Sequence, residues 1–273
     1  MVRALVIALV LAIACAAGAT AGVFSSVYET GTVAGHTGTN PYGAQLTQLP
    51  RCRNGATAVS GGFQTEFRIG DPASPSIYPT TFRRDASKWY VSAVNYGTGP
   101  GAMTSYVYCA KLEVSIAFVA MRAAGTVLEN TARCPRGRVA LAGGYVLDTA
   151  HEAPFALARS SRRAWTARAA NPGGGEAGLT AYVVCGKPKQ TGLRPTEVSV
   201  DVPFAAAGSG ASATALPTCP AGRLALSGGF EAPSSADGVI VHASLRVGKR
   251  SWEVRASSQT PVAGTLTAFV YCV

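Results

Sequence analysis

Three stretches of the chain alternate apolar and polar positions with a period of two. In WYVSAVN (89–95), WTARAAN (165–171) and WEVRASS (252–258), tryptophan, then valine or alanine, then alanine fall on one face. Ser92, Arg168 and Arg255 fall on the other. That period predicts half-buried strands. The segments TSYVYC (104–109), TAYVVC (180–185) and TAFVYC (267–272) are β-branched and aromatic and predict strands too. Further runs at 114–119 and 198–202, a strand around each glycine pair and one before each tryptophan bring the expectation to five or six strands per unit. No stretch carries helical periodicity. Gly186–Pro195 and Ala205–Pro217 read as connectors.

The strand patterns belong to a threefold repeat. CRNGATAVSGGF, CPRGRVALAGGY and CPAGRLALSGGF begin at Cys52, Cys134 and Cys219. Glycine pairs follow in register: Gly61 and Gly62, Gly143 and Gly144, Gly228 and Gly229. Trp89, Trp165 and Trp252 are the only tryptophans, and each precedes a closing cysteine, Cys109, Cys185 or Cys272, by twenty residues. Six residues before each tryptophan stands Arg83, Arg159 or Arg246. A period of about 83 residues means three copies of one structural unit.

Residues 1–21 read as a secretory signal: Arg3 for the positive start, an apolar run over Ala4–Ala17, and the A-x-A site at Ala19–Ala21. A retained membrane anchor and a lipid anchor on Cys15 are the lesser alternatives. The expected organisation is then 22–110, 111–187 and 188–273, one β repeat each, with no membrane span after signal cleavage. The location is secreted or in the cell envelope. Six cysteines remain and read as three disulfides in an oxidising compartment. Pairing within units (Cys52–Cys109, Cys134–Cys185, Cys219–Cys272) is preferred, since each unit then works alone. Cys109–Cys134, Cys185–Cys219 and Cys52–Cys272 also respect the repeat.

The expected fold is all-β: three homologous, disulfide-stapled antiparallel modules in tandem, a β-sandwich or β-prism. Aromatics on the closing strands favour packing about a pseudo-threefold axis over beads on a string. The tryptophans share a face with Val91, Ala93 and their counterparts, so they read as core. The glycine pairs read as backbone devices for a bulge or a close approach.

Candidate chemistry is sparse. The net charge of +10 attracts anions, such as an acidic envelope polymer or a glycan. No basic run or interleaved aromatic patch points to specific nucleic-acid binding. Arg83, Arg159 and Arg246 read first as stacking on the tryptophans across a hairpin, and second as a threefold anion site. Ser60 and Ser227 lack the acid that precedes a protease nucleophile, and the middle unit has Ala142 there. His36, His151 and His242 occupy non-equivalent surface or loop positions. Glu66 and Asp148 read as solvated loop acids. No metal site or cofactor is expected, and no enzyme.

The pattern CPxG, GG plus an aromatic, W-x-V-x-A-x-N and T-A-Y-V-C resembles repeats in secreted bacterial proteins with no assigned activity, often from high-GC genomes. It covers nearly all of the mature chain, although Arg53 replaces the proline in the first copy. More loosely, three cysteine-bracketed β units are similar to the β-prism of vitelline membrane outer layer protein, with a different period. The expected function is a non-catalytic exported binding or envelope protein. A lectin-like glycan binder is the first alternative and a secreted hydrolase the second.

Overall fold

A computed structural model describes residues 24–36, 43–69, 74–149, 151–188, 196–207, 210–233, 238–258 and 261–273. The signal segment and Cys15 lie outside them. The first unit contributes β1 (Ser25–Val33), β2 (Ala44–Gln48), β3 (Thr57–Thr65), β4 (Ile77–Asp85), β5 (Lys88–Asn95) and β6 (Gly101–Ala110). The second contributes β7 (Val114–Ala124), β8 (Val127–Arg133), β9 (Val139–Leu147), β10 (Ala153–Ser161), β11 (Ala164–Ala170) and β12 (Glu176–Gly186). The third contributes β13 (Thr196–Pro203), the short β14 (Ala205–Ala207), β15 (Gly210–Ala215), β16 (Ala225–Glu231), β17 (Val239–Val247), β18 (Ser251–Ser258) and β19 (Thr265–Cys272).

These strands form three antiparallel sheets, and each sheet is drawn from two units. Sheet I has the order β1-β6-β3-β17-β18-β15-β14, sheet II β2-β5-β4-β9-β12-β7, and sheet III β13-β19-β16-β10-β11-β8. Every unit places its first, glycine-pair and closing strands in one sheet and its tryptophan hairpin in the next. The glycine-pair strand then pairs with the hairpin strand of the preceding unit: Tyr145 with Phe82, Phe230 with Leu157, and Phe63 with Ser244. The last pair joins unit one to unit three and closes the ring. One apolar cluster runs through all three units, so the modules share a core. The fold is an all-β prism with pseudo-threefold symmetry, and the sequence units do not coincide with the sheets.

The glycine pairs make these joints. A β-carbon on Gly61, Gly143 or Gly228 would collide with the indole of Trp89, Trp165 or Trp252 of the same unit. A β-carbon on Gly62, Gly144 or Gly229 would collide with the carbonyl of Ser244, Phe82 or Leu157 of the neighbouring unit. The first glycine therefore seats the tryptophan, and the second admits the next unit's backbone. All three indoles are at most 1% exposed.

Two equivalent bulges per unit bend the joint strands, and β10 has a further register shift between Arg159 and Ser161. Val59, Leu141 and Leu226 fall between register shifts, and they pack together with Ala110 and Val139 in a separate small cluster. Thr80, Phe155 and His242 are the extra residues on the hairpin side.

The disulfides are Cys52–Cys109, Cys134–Cys185 and Cys219–Cys272, with Cα separations of 5.7, 5.6 and 5.6 Å. Pairing is within units, yet self-sufficiency of the units is not its reason. Each first cysteine stands where the chain crosses from one sheet to the next. Its disulfide holds the closing strand in one sheet. Its backbone N–H donates to Ser87, Arg163 or Arg250 in the hairpin turn of the other. In units two and three the Arg163 and Arg250 guanidiniums also donate twice to the cysteine carbonyl.

One expectation is corrected. Ala205–Pro217, read as a connector, contains β14 and β15. Ala211, Ala213 and Ala215 of β15 are buried, so alternation is present, but between residues too small to show it.

Gly228→Ala should destabilise the protein by about 3 kcal/mol or more, because the indole has nowhere to move in a packed core. Gly175→Ala, in open space at an ordinary φ, should cost less than about 0.5 kcal/mol. Urea unfolding followed by circular dichroism checks the contrast; equal costs would contradict the seating role.

Candidate functional site

The arginines do not stack on the tryptophans. Arg159 lies over the Tyr271 ring at 4.7 Å and Arg246 over the Tyr108 ring at 4.4 Å, each from the neighbouring unit. The backbone N–H of each arginine donates to the same tyrosine's hydroxyl, at 2.9 and 2.8 Å. These contacts sew two of the three joints. Tyr108 and Tyr271 in turn meet Trp252 and Trp165 edge to face.

The third joint differs. Val184 stands where the other units have tyrosine. The hairpin of unit one is also shorter, so Arg84 pairs with Trp89 where Arg159 pairs with Trp165 and Arg246 with Trp252. Burial lowers the pKa of Arg84. Arg83 is thereby displaced onto the outer face of sheet II. The three arginines expected to form one anion site thus lie on three sheets, and two of them are spent on the joints.

On that outer face Arg83 sits between two rings, 5.0 Å from the centroid of Tyr90 and 5.7 Å from that of Tyr182. Tyr182 stacks on Phe118 at 5.5 Å, and Phe118 is 63% exposed. Gly144, between Tyr182 and Arg83 in the register, adds no side chain. The result is a row Phe118–Tyr182–Arg83–Tyr90 across five strands, roughly 19 Å at the usual strand spacing. Arg83 makes no ion pair among the described residues. Beside the row stand Thr180, Thr81 and Thr47, with Val146 between the first two and Ser92, buried and accepting from Gln45 and Thr47, between the last two. The matching row of sheet III reads Ser199–Phe269–Gly229–Ala158–Thr166, and that of sheet I Tyr28–Tyr106–Gly62–Leu245–Glu253. Neither has a cation between rings.

A cavity of about 260 Å³ opens where the three hairpin strands begin. Its walls are Tyr78, Tyr96, His151, Ala153, Pro172, Gly238, Val239 and Ile240, so all three units contribute. Tyr78 and Tyr96 meet edge to face at 5.2 Å. Burial raises both phenols, Tyr96 to about 12.

Several of the other polar residues have structural partners. Ser60 and Ser227 are buried and donate to the carbonyls of Leu226 and Leu141, which lie at bulges in the neighbouring units. Asn95 donates to Val33, Ala34 and Gly99 and accepts from the Ser76 and Gly97 amides. Glu66 pairs with Arg68 on sheet I, and Asp148 with Arg122 on sheet II. They do not meet. No cluster of three metal-ligating side chains occurs among the described residues.

His242 departs from expectation: it is the bulge residue of β17. Its Nε2 lies 3.1 Å from Ser257 Oγ, and its ring stacks on Phe67. Burial, aided by Arg255, pushes its pKa down to about 4.

No family model and no curated protein matches the chain.

A histidine at about 4 when folded and near 6.5 when unfolded favours folding while it is neutral. That contribution is full above pH 6.5 and is lost as pH falls towards 4. The loss should reach about 3 kcal/mol. His242→Phe, which copies Phe155 of unit two, should flatten the stability profile across this window. Urea midpoints at half-unit pH steps check it; parallel profiles for the two proteins would contradict it.

Proposed function

We propose that the protein is an exported, non-catalytic binding protein that holds an anionic glycan or similar acidic envelope polymer on the outer face of sheet II. Export rests on the signal-like residues 1–21, with secretion or envelope retention as the destination and a Cys15 lipid anchor as the lesser alternative. Three disulfides agree with an oxidising compartment. Among the described residues no helix is long and apolar enough to cross a membrane. The non-catalytic reading is supported by the use made of the polar groups: the repeated serines satisfy carbonyls, and Glu66 and Asp148 are ion-paired on separate sheets.

The observation that carries the ligand class is Arg83 held between Tyr90 and Tyr182. The repeat explains what the three units share, and shared residues build joints. Arg83 lies outside that pattern. Its flanking rings order the guanidinium, whose in-plane N–H groups suit a carboxylate or phosphate in bidentate fashion. Sugar rings stack on exposed aromatic faces, and Thr180, Thr81 and Thr47 beside the row offer partners for sugar hydroxyls. The same rings and hydroxyls support the second reading, a lectin for neutral glycans.

Immobilised polygalacturonate and dextran separate the two. Wild type should bind polygalacturonate at low salt, weaken as salt rises, and bind dextran poorly. Arg83→Gln should weaken polygalacturonate binding about tenfold, whereas Tyr182→Ala should weaken both polymers. Equal binding of polygalacturonate by wild type and Arg83→Gln overturns the anionic reading. Preference for dextran would select the lectin reading.

A further inference from the structure

We infer that the cavity at the start of the hairpin strands is a second, independent binding site, and that it takes a small uncharged aromatic compound. Tyr78, Ala153 and Ile240 are equivalent positions, each two residues before the bulges at Thr80, Phe155 and His242. Here the units do not repeat. Unit one supplies a ring, unit two a methyl group that leaves space, and unit three a branched aliphatic side chain. Tyr96, outside any strand, brings a second ring at right angles to the first, and His151 lies 6.4 Å from it. Val239 and Pro172 complete the wall.

The volume of about 260 Å³ falls just below the usual range for drug-sized ligands, so a compound the size of toluene or indole fits. Among the described residues no Lys, Arg, Asp or Glu lines the cavity, so a charged ligand would lose its water without a counter-charge. A pyranose would bring some five hydroxyls to a wall whose polar groups are two phenols and one imidazole, and most would be left unpaired. An aromatic ring needs none of these partners and meets the tyrosine rings edge to face, the arrangement they already adopt with each other.

Methyl NMR of the whole mature protein tests the site, with toluene, indole, benzoate and glucose as probes. Toluene and indole should shift the Ile240 and Val239 methyl signals and saturate within their solubility. Ala153→Leu places at Ala153 a side chain as large as the one unit three carries at the equivalent position. It should weaken indole binding about tenfold or more by filling the space. Tyr96→Leu, which removes one ring wall, should weaken indole several-fold. Arg83→Gln should change nothing here, so failure at this site and failure on the sheet II face are told apart. The inference is overturned if neither ring compound shifts these methyls, or if glucose or benzoate binds more tightly than indole. Undiminished indole binding by Ala153→Leu with a native spectrum would also overturn it. Should that variant not fold, undiminished binding by Tyr96→Leu overturns it.

Discussion

The structure depends on the contact between an indole and a glycine that has no side chain to obstruct it. Trp89, Trp165 and Trp252 lie on the first glycine of a pair, which brings a hairpin in one sheet against the glycine-pair strand in the next. The second glycine lets the neighbouring unit's backbone approach the same strand. One pair of adjacent residues therefore fixes contacts within a unit and between units. Close packing leaves little slack at such a point.

From this follows the division of labour between repeated and unrepeated residues. The cysteines tie each crossing segment to both sheets it joins. Tyr108 and Tyr271 reach across two joints to Arg246 and Arg159, and the serines at the bulges satisfy carbonyls of adjacent units. All of this maintains the ring. Val184 breaks the symmetry at the third joint, and Arg83, Tyr78, Ala153 and Tyr96 break it at the outer face of sheet II and the end cavity. Arg83 illustrates the mechanism: a shorter hairpin turn moves Arg84 into the joint and leaves its neighbour on the surface between two rings.

Strand identity, the tryptophan core and the glycine pairs as sites of close approach were legible in the sequence, because period-two alternation and fixed offsets report them directly. Strand exchange was not. A strand's pattern says which face is buried but names no partner, so within-unit disulfides suggested self-contained modules. The arginine register slipped by one in unit one because counting from Trp89 cannot see the turn length. His242 was placed at the surface because its burial comes from a bulge and from Phe67, neither of which the local pattern carries. The end cavity was invisible for a deeper reason: it is built from equivalent positions that hold different residues, and a search for repetition passes over them.

Ring closure through the Phe63–Ser244 pair makes the three units one cooperative body. Hydrogen exchange followed by mass spectrometry across a urea series tests this on the intact protein. Peptides from β5, β11 and β18 should lose protection at one common urea concentration. Three separate midpoints, one per unit, would contradict the account and return the protein to beads on a string.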